Sequence, residues 1–184
     1  MPNFRHRLPR SQQREYDRSN AVPSVPLRVS PRLVRATDLL AEALPQGHQP
    51  VVERLAQAVA DEICAALRVP ALRVHVRGTR PSNARGELHG LYSPGRKQDR
   101  IEVWMITAKR GQVVAFKTFV RTLLHEICHH LDYELLRLGI SLHTDGFFKR
   151  ESSLFAQIRR ALPAGAARVS EITLETARVA SPVG

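Results

Sequence analysis

The segment from Gln112 to Leu138 sets Phe116, Phe119, Val120, Leu123, Leu124, Ile127, Leu131 and Leu135 three and four residues apart. So wide an apolar stripe predicts a long helix that is central and largely buried. The same stretch carries HEICHHLD, residues 125 to 132, with three histidines and two carboxylates in eight positions. Ionisable groups on an apolar element are costly to bury without a partner. The fold is therefore expected to form around a compensating group on this helix, and a divalent cation is one that would serve.

His125 and His129 lie four residues apart, so their imidazoles leave the same side of the helix one turn apart. Two ring nitrogens so placed can reach one tetrahedral zinc at about 2.0–2.1 Å each. Glu126 lies roughly 100° around the helix from His125, too close in sequence to join the ligand set but well placed to meet a metal-bound water. This is the HExxH arrangement, in which zinc polarises a water and the glutamate accepts its proton. A zinc that does chemistry takes a third protein ligand and keeps one position open.

His143 is the first choice for that ligand, because it follows Gly139, which is expected to end the helix and let the chain double back. Glu151 is the second, falling between Phe147 and Leu154 on an otherwise apolar helix face. Asp132 is the third, with an alternative role in orienting an imidazole from behind. His130 projects away from His129 and is expected in packing. Tyr92, Tyr133 and His130 are the candidates for stabilising an oxyanion. The two cysteines, Cys64 and Cys128, read as reduced, buried thiols.

Residues 1–30 are polar, basic and proline-punctuated, which predicts a disordered arm. Ser30 and Pro31 open a helix with Leu33, Ala36, Leu40 and Leu44 on one face, and PQGHQP breaks it. Val52, Leu55, Val59, Ile63 and Leu67 mark a second helix. After Pro70 the period becomes two: ALRVHVRG, GELHGLYS and RIEVWMI predict a three-stranded antiparallel meander between residues 71 and 106. A last helix is expected over TDGFFKRESSLFAQIRRAL with Thr144 as its cap. The expected organisation is a basic arm (1–30), one catalytic domain (31–162) and a loose tail (163–184).

Net charge is +11, with +6 in residues 1–35 and +5 between Arg73 and Arg100. Such clusters can give sequence-independent contact with DNA, through the arm and the arginine-rich strands. No recognition motif accompanies them, and 24 arginines against 4 lysines is also what a biased genome composition produces. No apolar run is long enough to span a bilayer, and the first 20 residues lack the apolar core of a secretory signal. A cytoplasmic protein without membrane association is the expectation.

HEICHHLD, followed after a short loop by HTDGFFKR, resembles the SprT-like zinc metallopeptidases, the group that includes the Spartan proteases. Members pair HExxH with a downstream histidine opening an H-G-x-x-F/W-like segment; His143 and Phe147 or Phe148 match in kind, whereas Gly146 is displaced from the position after the histidine. GLYSPGRKQDRIEVWMI also looks like that family's hairpin before the active-site helix. Minimal gluzincins share HExxH and would favour Glu151 instead.

The resemblance covers roughly residues 50–160. It implies an α+β zincin-like core, with a small antiparallel sheet packed on the HExxH helix and flanking helices. It also implies a zinc ion and hydrolysis of a protein or peptide substrate, in some members a DNA-bound protein. Apart from the resemblance, the motif itself makes Glu126 the expected general base, and the strand Arg100 to Ile106, from its place just before the helix, is expected to pair with an extended substrate by strand addition. The reading from another class is a basic nucleic-acid-binding or adaptor protein with a structural, non-catalytic zinc site.

Overall fold

Two side-chain caps fix helices where the sequence places them. Ser30 Oγ accepts from the Leu33 amide at 3.0 Å and starts α2 (Pro31–Ala43), with Pro31 in the first turn. Thr144 Oγ1 accepts from the Phe147 amide at 3.0 Å and starts α5 (Asp145–Ala161). The computed structural model describes residues 5–84 and 86–162; the expected tail, 163–184, lies outside them. Between those helices come α3 (Gln49–Leu67), a sheet, and α4 (Phe116–Glu134), giving a mixed α+β architecture.

The sheet is not the antiparallel meander expected from the alternation. Strand β1 (Arg73–Thr79) pairs in parallel with β5 (Arg100–Ile106), setting Val74 beside Ile101 and Val76 beside Val103. Strand β4 (Gly90–Ser93) pairs antiparallel with the other side of β5, so the order is β1-β5-β4. The stretch expected as one strand over GELHGLYS is divided. Its start forms a minimal hairpin from β2 (Ser82–Asn83) and β3 (Gly86–Glu87), and that loop carries the chain past β5 to the far edge. Alternation reports that a strand has one buried face but not which neighbour it takes.

Val74, Val76, Ile101, Val103 and Met105 point into one core. Helix α3 packs against β1, and α4 packs against β4 and β5. Phe119, Leu123, Leu124, Ile127 and Leu131 of α4 are buried in the same core, as their spacing predicts. The helix is shorter than expected. Gln112 to Val114 extend the sheet instead, with the Val114 amide donating to Met105 O. At the other end α4 stops at Glu134, and Arg137 rather than Gly139 adopts the left-handed conformation (φ 53°). The Leu138 amide then donates back to Asp132 O at 2.9 Å, satisfying a carbonyl of the last turn.

The expectation of a disordered arm over residues 1–30 is corrected by residues 5–30. They form α1 (Arg10–Asn20) and an extended run in which Val25 and Leu27 are buried in the core. The physical reason is that α1 docks through polar side chains, which an apolar periodicity does not display. Arg150 of α5, wholly buried, donates to Ser19 O (2.7 Å) and Val22 O (2.5 Å) and draws this segment onto the domain.

The two sheet edges differ. Side chains of α3 seal β1: Gln57 bonds Val74 N and Leu72 O, Glu53 accepts from Val76 N, and Gln49 donates to Val76 O, all at 2.8–2.9 Å. Strand β4 forms the opposite edge, over α4. Among the described residues no helix is long and apolar enough to cross a membrane.

Candidate metal centre

Helix α4 and the loop from Leu135 to Thr144 bring three imidazoles to one point. His125 Nε2 lies 3.0 Å from His143 Nε2, which lies 3.1 Å from His129 Nε2. A tetrahedral zinc with bonds of about 2.0–2.1 Å separates its nitrogen ligands by about 3.3–3.4 Å, within a few tenths of these spacings. Among the described residues these three histidines are the set whose ligand atoms converge closely enough to hold one ion. His143, rather than Glu151 or Asp132, stands beside the HExxH pair.

Hydrogen bonding behind the rings fixes their tautomers. His129 Nδ1–H donates to Ser141 Oγ (2.7 Å), and Ser141 in turn donates to Asp132 Oδ2 (2.6 Å). His125 Nδ1–H donates to Glu151 Oε2 (3.3 Å), while Arg121 holds the other oxygen of that carboxylate at 2.6 Å. Each of these rings therefore presents an unprotonated Nε2 toward His143. His143 Nε2 can carry only one proton for two lone pairs, whereas one cation would take a lone pair from each of the three rings. Burial lowers His129 to about 3, helped by its neighbouring histidines, and burial also lowers His143. Neutral imidazole is the form that ligates metal. The donor set fits zinc.

Glu151 and Asp132 thus orient imidazoles from behind, a role the sequence suggested for Asp132 alone. Ser141 carried no sequence signal, being one small polar residue in a loop. Arg150 did carry one, since it interrupts the apolar face between Phe147 and Leu154.

Glu126 occupies different surroundings. It is one of three buried acids among the described residues; Asp132 and Glu151 have arginine partners, whereas Glu126 accepts from the Tyr92 amide of β4. Burial pushes it up to about 7, against the pull of His125 and that amide. Gly90 passes directly over it: a Cβ there would lie 2.5 Å from Glu126 Oε1 and 2.8 Å from Thr122 Cγ2. Glycine is needed at this point for room. Glu126 and His125 line a cleft of about 470 Å³ that runs past Thr118, Thr122 and His89.

His130 stands in packing, as expected: it is 1% exposed, with Nδ1 2.9 Å from Asp99 Oδ2 and Nε2 2.8 Å from Pro70 O. Tyr92 also spends its hydroxyl on Asp99. Tyr133 accepts from the Ser141 amide at 3.3 Å and, among the described residues, keeps its proton available. Cys64 and Cys128 are buried free thiols, Cys64 pushed up to about 12 by burial. Comparison with protein-family models, with curated proteins and with solved structures gave no match.

Proposed function

We propose that this chain is a zinc-dependent peptidase of the SprT-like kind, with a zincin-like core. The observation that carries the reading is the convergence of three imidazoles, His143 Nε2 lying 3.0 Å from His125 Nε2 and 3.1 Å from His129 Nε2, with Glu126 buried beside them and, among the described residues, without an arginine or lysine partner. His125, His129 and His143 would hold the metal. A zinc bound there supplies a Lewis acid and a water acidic enough to ionise near neutrality. Glu126 takes a proton from water and returns it to the leaving amine.

Three protein ligands among the described residues leave a fourth position open, which favours catalysis over a structural brace closed by four. The substrate strand moves from its expected place. Strand β5 is paired on both sides and can accept no further strand, so the extended peptide is assigned to the edge of β4 above Glu126. Leu91 on β4 and Phe148 beside His143 expose apolar surface at 41% and 47%, which suits a peptide more than a polyanion. The basic charge supports a secondary contact with DNA: Arg73, Arg77 and Arg100 are exposed on the sheet.

Metal analysis with a casein assay tests the reading. One zinc per chain is expected, with hydrolysis lost on chelation and restored by stoichiometric zinc; protein that hydrolyses casein equally well without metal would end it. Gly90→Ala should lower turnover about tenfold to a hundredfold at unchanged zinc content, because the new methyl displaces the Glu126 carboxylate. Wild-type turnover in that variant would show that Glu126 need not stay where it lies.

A further inference from the structure

His143 is exposed; its ring leans on Phe147 and Phe148, but its backbone belongs to the loop from Leu135 to Thr144, whose course sets where the ring can reach. That loop also carries Ser141, the partner of His129. Its start and its end are both tied to α1, more than a hundred residues earlier in the chain. At the start, Arg18 Nη2 donates to Leu136 O (3.0 Å) and Arg137 O (3.1 Å), and Glu15 accepts from the Gly139 amide (2.6 Å). At the end, Ser19 Oγ lies 3.0 Å from Thr144 Oγ1, and Asn20 Oδ1 accepts from the Gly146 amide at 2.7 Å. Glu15 also grips Arg18 at 2.9 Å, so the two act as one clamp.

We infer that α1 is a positioning element of the metal centre: Glu15 and Arg18 hold the loop so that Ser141 and His143 meet the HExxH pair. The inference rests on the zinc reading above. It differs from a general propping role because Glu15 and Arg18 lie on the surface, where ion pairs add little to global stability. What they hold is the backbone between α4 and α5, including Arg137 in its left-handed conformation. Freed from them, the loop has more conformations to lose when zinc binds, and affinity falls.

The test measures zinc affinity by competition with a chromophoric chelator, alongside thermal unfolding of the metal-free protein. Glu15→Ala with Arg18→Ala should raise the zinc Kd about tenfold to a hundredfold, the usual cost of removing a group that orients a ligand. The melting midpoint of the metal-free protein should stay close to wild type. Glu15→Gln alone keeps an acceptor for Gly139 and should recover most of the affinity. An unchanged Kd in the double variant, or a fall in apo stability with no change in Kd, overturns the inference and leaves the zinc reading intact. Wild-type protein that binds no zinc overturns both. Zinc binding weakened as expected in a protein that hydrolyses nothing supports the positioning role and sinks the peptidase reading alone.

Discussion

Glu126→Gln is expected to lower kcat for peptide hydrolysis about 10²–10⁴-fold while one zinc per chain stays bound. The size is that of losing a positioned general base, about 3–5 kcal/mol of transition-state stabilisation. Glutamine has the shape of glutamate, so its oxygen can still accept from the Tyr92 amide and the fit under Gly90 survives. The three imidazoles are untouched, and their supports from Ser141 and Glu151 remain. KM should change little. The substitution also removes a buried carboxylate that has no arginine partner among the described residues, so the variant should be no less stable than wild type. Stability gained together with activity lost is the signature of a residue retained for chemistry. Turnover within threefold of wild type would remove Glu126 from the mechanism.

The parts of the site that lie on one helix were legible from spacing. His125 and His129 share a helix face because the period of 3.6 puts them there, and the apolar stripe showed the helix to be buried. The caps at Ser30 and Thr144 were legible for the same local reason. What escaped was every choice of partner over long range. Strand alternation marked Val74 and Ile101 as inward but could not say that β1 and β5 run parallel. The ten residues of RSQQREYDRS display no apolar stripe, so a helix that docks by Glu15, Arg18 and Ser19 read as an arm. His143 and Glu151 were both candidates by sequence. Only the folded loop shows one with its nitrogen among the others and the other behind His125.

Arg150→Met is expected to destabilise the protein by about 3–5 kcal/mol, read as a shift of the urea midpoint at unchanged slope. Arg150 has no exposed surface and donates to Asp132 Oδ1 (2.6 Å), Ser19 Oγ (3.0 Å) and the carbonyls of Ser19 and Val22. Methionine fills the space but leaves the Asp132 charge buried with Ser141 as its remaining partner, and leaves two carbonyls without this donor. Such a loss is a large share of the roughly 5–15 kcal/mol that holds a domain together. Adding Asp132→Asn separates the two costs. If the unpaired charge dominates, the double variant should recover at least about half the loss, because breaking a buried pair costs more than replacing it. If it recovers nothing, the cost lies in the Ser19 and Val22 carbonyls and so in the docking of the N-terminal segment. A midpoint within about 1 kcal/mol of wild type for Arg150→Met would show that the pair contributes little and that α1 is held by its other contacts. The double variant also reads out at the metal centre: Asp132 steadies Ser141 and through it His129, so the asparagine should weaken zinc binding even where it restores the fold.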